Sequence, residues 1–108
     1  MHEMPYVKAA LATVLATAGG RKVRRVSVQV GEGASDVTEF KELFFVLAEG
    51  TVAGNAKLEV FVMKPSFECH ACAQSGSLDY SPVRCPKCGS PDIETNANEV
   101  KVVEIETD

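Results

Sequence analysis

The chain has four cysteines, and they stand in two pairs with the spacing Cys-x-x-Cys. The first pair is Cys69 and Cys72, and the second is Cys85 and Cys88. A Cys-x-x-Cys turn points two sulfurs at one centre, so two such turns can place four thiolates around one Zn²⁺ at about 2.3 Å. The spacing therefore predicts a structural zinc site. Because protein would fill all four positions, such a site leaves none open for chemistry, and the function must lie elsewhere.

The state of these cysteines depends on the compartment. No apolar run approaches the ~18 residues needed to cross a bilayer, and the opening Met-His-Glu-Met-Pro lacks the basic and apolar regions of a secretory signal. We therefore expect a cytoplasmic protein that does not bind membranes. Thiols stay reduced in the cytoplasm, which favours metal ligation over disulfide formation.

The charge is unevenly distributed along the chain. The net charge is −4; residues 1–64 hold eight Lys or Arg against seven Asp or Glu, whereas residues 65–108 hold three against eight. A zinc ion bound by four thiolates adds about two more negative charges to this acidic part. Zinc ribbons that bind nucleic acid need a basic surface, because phosphate neutralisation supplies most of their affinity. The charge thus disfavours a nucleic-acid-binding ribbon, and we expect no nucleic-acid partner.

Two stretches of the first half have apolar residues at helical spacing. One predicts a helix from Pro5 to Ala18, with proline near its start and Gly19-Gly20 as its stop. The other predicts a helix that Asp36 caps, with Glu39 three residues on as in a capping box, and that Gly50 ends. The apolar positions are Val7, Ala10, Leu11, Val14, Leu15 and Ala18 in the first, and Val37, Phe40, Leu43, Phe44 and Leu47 in the second.

Alternating apolar residues predict strands at 26–30, 58–63 and 100–105. The first two flank the second helix, and a strand–helix–strand unit of this length favours a parallel pair with a right-handed crossover. The last strand has a phase break at Val102-Val103 that indicates a bulge. The predicted fold is α+β with α/β-like connectivity: two helices on a small three-stranded sheet.

The cysteines lie in a stretch of different composition. Residues 66–95 are rich in serine, proline and glycine and have too few large apolar residues for a core of their own, so a metal must organise them. We therefore predict two domains, one formed by residues 1–64 with 96–108 and the other an inserted zinc ribbon at 65–95.

The first three residues, Met1, His2 and Glu3, suggest a second metal site. A histidine at position two can chelate one ion through its imidazole, its backbone nitrogen and the free α-amine. Such nitrogen-rich planar donor sets suit Ni²⁺ or Cu²⁺. Without further context, a frayed terminus with an incidental histidine is the more common interpretation.

Several motifs together provide that context. The chain opens with Met-His-Glu, has a strand ending in Val-Gly-Glu and a helix closing with Leu-Ala-Glu-Gly-Thr, and continues into the sequence Cys-Pro-Lys-Cys-Gly-Ser-Pro at residues 85–91. Asn98-Glu99 then precedes a tail rich in β-formers. In this combination, over nearly its whole length, the chain resembles the HypA/HybF family of hydrogenase nickel-incorporation proteins.

The resemblance implies a metallochaperone, not an enzyme. It implies that Ni²⁺ is held transiently at the N-terminus and delivered, with a nickel-loading GTPase, to the large-subunit precursor of [NiFe]-hydrogenase. His2 would be the primary nickel ligand, with Met1 and Glu3 contributing further donors, while Zn²⁺ holds the four cysteines. Asp36 would serve either as an auxiliary oxygen donor or only as the helix cap.

Some features near the cysteines leave alternatives open. Ala73 stands where the second pair is followed by Gly89, so we expect a less regular turn there. His70, between two ligands, is either an exposed bystander or a residue that modulates the site. A rubredoxin-like iron electron carrier also has two Cys-x-x-Cys pairs, but the aromatic residues nearby are only Phe67 and Tyr80.

Overall fold

A computed structural model describes residues 3–34 and 36–108. Its elements form two three-stranded sheets, with the strand orders β2-β1-β6 and β4-β3-β5. The elements are α1 (Met4–Ala18), β1 (Val23–Val30), α2 (Val37–Ala48), β2 (Lys57–Val62), β3 (Ser66–Cys69), β4 (Ser75–Ser77), β5 (Ile93–Thr95) and β6 (Val100–Thr107).

The first sheet has β1 at its centre, parallel to β2 and antiparallel to β6. The predicted parallel pair is therefore confirmed, and so is the bulge. Ser27 pairs with Glu104 but Val28 pairs with Val102, which leaves Val103 as the extra residue of β6. The strand β1 begins earlier than predicted, at Val23, because Arg24-Arg25 hides its alternation in the sequence.

The end of α1 and the start of α2 have the capping residues that the sequence predicts. Gly19 adopts a left-handed conformation at φ 59° and its N–H donates to the Leu15 carbonyl, which ends α1. At the start of α2, the Asp36 side chain accepts a hydrogen bond from the Glu39 N–H at 3.1 Å. That bond satisfies one of the backbone donors that a helix N-terminus leaves without a partner.

The helices cover one face of the first sheet. The helix α1 packs against β6, α2 packs against β2, and the helices contact each other. Between them lies a core built on Val26, Val28 and Val30, which are fully buried. Phe40 and Phe44 are also buried, with stacked rings 6.4 Å apart, as the apolar stripe of α2 predicts. Its other members are only partly buried: Val37, Leu43 and Leu47.

The second sheet is small, and its strands were not predicted. The strand β3 pairs antiparallel with β4 on one side and β5 on the other, but strands of three or four residues are too short for alternation to be visible. Its buried cluster consists of Phe67, Cys69 and Cys85. Of these three residues, Phe67 alone has a large apolar side chain.

Residues 63–65 lead from the first sheet to the second, and residues 96–99 lead back. Hydrogen bonds hold the returning segment in place. The Gly31 N–H donates to the Glu99 carbonyl at 2.7 Å, and the Asn96 side chain donates to the Lys64 carbonyl at 2.9 Å. A β-carbon at Gly31 would overlap the carbonyl oxygens of Asn96 and Ala97. Only glycine permits this close approach, so Gly31 fixes the return segment against the end of β1.

Candidate metal centres

The four cysteine sulfurs converge on one point, as the spacing predicts. All four lie within 4.8 Å of one another, and the pairs Cys69–Cys88 and Cys72–Cys85 are each separated by 3.7 Å between sulfurs. A tetrahedron with metal–sulfur bonds of about 2.3 Å has edges of about 3.8 Å. The geometry therefore matches a four-thiolate metal site.

Backbone amides stabilise the charge that such sulfurs carry. The N–H of Cys72 donates to the Cys69 sulfur at 3.4 Å, and the N–H groups of Lys87 and Cys88 donate to the Cys85 sulfur at 3.4 and 3.5 Å. Burial opposes ionisation of Cys85, but these two amides and the neighbouring sulfurs outweigh it and lower the pKa of the thiol to about 6. Cys85 is thus ready to bind a cation as a thiolate.

The pKa of the Cys72 thiol, which faces Cys85, is raised and not lowered. The Gln74 amide favours the thiolate of Cys72, but desolvation and the three other cysteine side chains outweigh it, and the pKa of Cys72 rises to about 12. Four thiolates this close repel one another, so without a metal the cluster does not ionise as a whole. A divalent cation at the centre removes that conflict.

The two Cys-x-x-Cys turns share a closing hydrogen bond and a left-handed residue, but the Cys69 sulfur accepts from the Cys72 amide whereas the Cys85 sulfur accepts from two amides. A less regular first turn, expected from Ala73, stays a prediction. The Ala73 N–H donates to the Cys69 carbonyl at 3.1 Å, and the Gly89 N–H donates to the Cys85 carbonyl at 2.8 Å. Both residues are left-handed, with φ of 61° and 77°. Alanine adopts this conformation at a cost of roughly 1–2 kcal/mol, which the other interactions of the turn must offset.

His70 lies beside the cluster without joining it. Its Nε2 is 3.4 Å from a Glu94 oxygen, and its side chain is 45% exposed. Among the described residues, the group able to hold a metal consists of the cysteines alone. His70 is therefore outside this group of candidate ligands, and its role as a bystander or as a residue that modulates the site stays a prediction.

Few aromatic side chains surround the cysteines. Phe67 is buried against the cluster, whereas Tyr80 is 57% exposed. Among residues 3–34 and 36–108 we find no aromatic shell of the kind expected around a rubredoxin-like iron centre.

The second candidate site lies at the N-terminal ends of the two helices. Met1 and His2 fall outside the described residues, but Glu3 is described, and it lines a cavity of about 490 Å³ together with Glu32 and Asp36. Asp36 is thus both the helix cap and a neighbour of Glu3. The fold thus brings two further carboxylate-bearing residues, Glu32 and Asp36, beside Glu3 of the N-terminal motif.

Glu39 adds a further carboxyl group to this region. The negative charge of Glu3, together with a hydrogen bond between the two side chains, raises the pKa of Glu39. In the sequence, Glu39 is indicated only as part of a capping box, and Glu32 only as the end of the Val-Gly-Glu motif after β1. Both positions indicate local structure, and only the fold brings these two residues near Glu3.

Comparison with known proteins identifies the family of this chain. Residues 1–107 match a family described as hydrogenase/urease nickel incorporation, metallochaperone, hypA. The chain belongs to the HypA family. It is 37% identical to the hydrogenase maturation factor HypA of Methanocaldococcus jannaschii, over 83% of this chain and 82% of that one. It is 32% identical to the HypA of Dehalococcoides mccartyi, over 100% and 95%.

A solved structure agrees with this assignment. The solution structure of the Ni metallochaperone HypA from Helicobacter pylori superposes with a TM-score of 0.81 at 28% identity, covering 99% of this chain and 97% of that one. The fold of two helices with small sheets and a four-cysteine cluster is thus that of the HypA family.

Membership of this family decides the broad function. HypA proteins are metallochaperones for nickel incorporation in hydrogenase maturation, so the chain is not an enzyme. An electron-carrier or nucleic-acid-binding role for the ribbon is not needed to explain the cysteines. In the described part of the chain, no helix is both long and apolar enough to span a membrane.

Proposed function

We propose that the protein binds one nickel ion through Met1, His2 and Glu3 and delivers it to the large-subunit precursor of [NiFe]-hydrogenase. The observation that carries this proposal is the Met-His-Glu opening in a chain that matches a nickel-incorporation family over residues 1–107. The α-amine, the backbone nitrogen of His2 and its imidazole form fused chelate rings around one ion. Nickel favours such nitrogen donors in a planar arrangement.

The carboxylates near Glu3 support an auxiliary role for oxygen donors. Glu3 and Asp36 line the same cavity, and one Asp36 oxygen accepts the Glu39 amide at 3.1 Å. A carboxylate has two oxygens with several acceptor positions, so a capping bond does not prevent metal ligation. We propose that Asp36 both caps α2 and contributes an oxygen to the nickel site.

The electrostatics at Glu39 also support a cation. Its raised pKa comes first from the negative charge of Glu3, which shows that negative charge accumulates beside the N-terminal motif. A divalent ion bound at Glu3 would reduce that repulsion. The negative charge of the folded chain therefore favours a cation beside Glu3, the last residue of the chelating tripeptide.

For the four cysteines we propose a structural Zn²⁺. The sulfur separations of 3.7 Å fit a tetrahedral Zn–S site, and the amide–sulfur bonds orient the ligands. With four protein ligands the zinc has no open position, so its part is to hold the ribbon. Purified protein should be colourless and contain one zinc per chain, whereas a ferric centre would make it red.

We further propose how the partners divide the surface. The nickel-loading GTPase would bind the part formed by residues 1–64 and 96–108, and the acidic ribbon at 65–95 would meet the hydrogenase precursor. The separate sheets and apolar clusters support this domain division. Four reduced thiols further support a cytoplasmic site of action. Retention of GTPase binding by a variant lacking residues 66–95 would support this assignment, and loss of binding would reverse it.

Nickel titration of full-length protein with an unmodified N-terminus tests the nickel site. His2→Ala should abolish stoichiometric nickel binding, because it removes the imidazole, and it should leave zinc content and folding unchanged, because the proposed zinc ligands are the four cysteines. The matched control is His70→Ala, which removes the other histidine of the chain and should retain nickel binding.

Addition of one residue before Met1 separates a chelate from a simple surface histidine. The extension leaves the imidazole present but moves the α-amine out of reach of the chelate ring, so nickel binding should be lost. In cells, the His2→Ala variant should leave [NiFe]-hydrogenase inactive and unprocessed, with partial rescue by excess nickel. Unchanged nickel affinity in both altered proteins would show that the N-terminal site is wrong.

A further inference from the structure

The four cysteines of the cluster differ in their access to solvent. Cys69 and Cys85 are only 2% and 3% exposed. Cys72 is half-buried, whereas Cys88 is exposed, and it lies in a stretch, residues 86–89, that is exposed throughout. A small molecule can therefore reach Cys88 from solvent more easily than it can reach the other three cysteines.

The cysteines also differ in the hydrogen bonds that their sulfurs accept. The Cys69 sulfur accepts one backbone N–H, and the Cys85 sulfur accepts two. The Gln74 amide favours the thiolate of Cys72. In the described part of the chain, no backbone N–H donates to the Cys88 sulfur. A hydrogen bond occupies a lone pair of the sulfur and makes a thiolate a weaker nucleophile, so Cys88 keeps the greatest nucleophilicity of the four.

The basic residues of the ribbon lie beside Cys88. Arg84 and Lys87 are the only Lys or Arg of residues 65–95. Lys87 directly precedes Cys88, and the Arg84 guanidinium donates at 3.4 Å to the carbonyl of Gly89, which follows it. Reactive cysteines lie in such electropositive and accessible surroundings, because neighbouring cations keep the sulfur ionised and stabilise the anion that leaves during attack.

We propose that Cys88 is the modification site of the cluster, where a zinc-bound thiolate reacts with hydroperoxides and the reaction releases the metal. This inference rests on the zinc proposed above and does not involve the nickel site. With hydrogen peroxide, the Cys88 thiolate attacks one oxygen, so that an S–O bond forms and the O–O bond breaks. Hydroxide leaves and takes up a proton to become water, and Cys88 is then a sulfenic acid.

A second step follows because another sulfur is close. The sulfurs of Cys69 and Cys88 are 3.7 Å apart, so the Cys69 thiolate attacks the sulfenic sulfur. An S–S bond forms, the S–O bond breaks, and a second hydroxide leaves and is protonated. In total, two thiolates lose two electrons and one hydrogen peroxide is reduced to two waters. Zinc loses two of its four ligands and dissociates, and the ribbon loses the ion that organises it.

Limited alkylation of the zinc-loaded full chain tests the site in the wild type. Elemental analysis first establishes the zinc content, and a substoichiometric amount of N-ethylmaleimide is then added. Trypsin cleaves at Lys87, between Cys85 and Cys88, and tandem mass spectrometry distinguishes the first two cysteines. Cys88 should carry the first label, and zinc-loaded protein labelled first at another cysteine would overturn this inference alone. A chain without zinc would overturn the zinc proposal and this inference with it.

Hydrogen peroxide tests the release step. Zinc release, followed with a chromogenic chelator, should keep pace with the appearance of a disulfide between Cys69 and Cys88. Cys88→His leaves four possible ligands, since zinc also binds three cysteines and one histidine, and it should slow release several-fold. The matched control Cys72→His has the same ligand set and should release zinc at nearly the wild-type rate.

Two results with peroxide would overturn the proposal. One is equal slowing of zinc release in Cys88→His and Cys72→His, because the reaction would then not depend on the exposed sulfur. The other is a wild-type disulfide that excludes Cys88. If either variant does not hold zinc, the alkylation order and the disulfide map of the wild type decide.

Discussion

The two sheets of this protein are held together by different forces. The first encloses a cluster of fourteen described residues that are buried, all of them aliphatic or aromatic. The second has three, and two of these are Cys69 and Cys85 of the four-cysteine cluster, which could hold a metal. Hydrophobic burial at about 25 cal/mol per Å² can stabilise the first, whereas we expect the second to depend on the zinc proposed above. On this proposal, one chain combines a fold that forms without metal with one that requires it.

Loss of zinc should have the largest effect, because we expect it to disorder the ribbon and to leave the first sheet and its helices folded. Cys88→Ser should lower zinc occupancy and disorder residues 66–95, because structural zinc supplies on the order of 10 kcal/mol of apparent binding free energy. The amides of α1, α2 and β1 should keep their NMR positions and exchange protection, as should those of the control His70→Ala throughout. Collapse of the helical signals in Cys88→Ser would show that the core depends on the ribbon.

The second prediction concerns a substitution in the core between the first sheet and its helices, away from the cysteines. Phe40 is fully buried, and Phe40→Ala should lower the free energy of unfolding of the first sheet and its helices by about 3–5 kcal/mol. Chemical denaturation measures this loss, and zinc content should stay near one per chain. Phe45→Ala removes the same side chain from an exposed position of the same helix and should change stability by only about 0.5 kcal/mol. Equal losses in the two variants would contradict the burial described above.

The contact between the two parts depends on Gly31. Gly31→Ala should destabilise the chain by about 1–3 kcal/mol, because its β-carbon overlaps backbone oxygens that cannot rotate away. Chemical shift changes should concentrate at residues 96–99, and zinc content should not fall. Gly33→Ala is the milder control, since its β-carbon would come no closer than 3.3 Å to the Ala97 carbonyl oxygen. Identical behaviour of the two variants would argue against a specific contact at Gly31.

The same contrast explains which features the sequence revealed. Helices and long strands bury a continuous face, so their periodicity appears in the residues, and even the bulge at Val103 left a phase break. The strands β3, β4 and β5 have only three or four residues each and pair through short hydrogen-bonded ladders, and they therefore leave no periodic pattern in the sequence. The cysteine cluster was predictable because ligand spacing is local. Glu32 and Glu39 were not assigned to the N-terminal site, because packing between distant elements brings them there.

The smallest predicted effect is on the stability of the ribbon, and it comes from substitutions at the left-handed residue of each cysteine turn, Ala73 and Gly89. Ala73→Gly should stabilise the ribbon by about 1 kcal/mol, because glycine adopts the left-handed conformation that alanine now holds at φ 61°. Gly89→Ala should destabilise it by a similar amount, and since a β-carbon there would meet nothing within 4 Å, the whole change would be conformational. Zinc affinity measured against a competing chelator gives both values on the same scale. If Ala73→Gly left affinity unchanged while Gly89→Ala lowered it, the first turn would not carry the strain that its geometry implies.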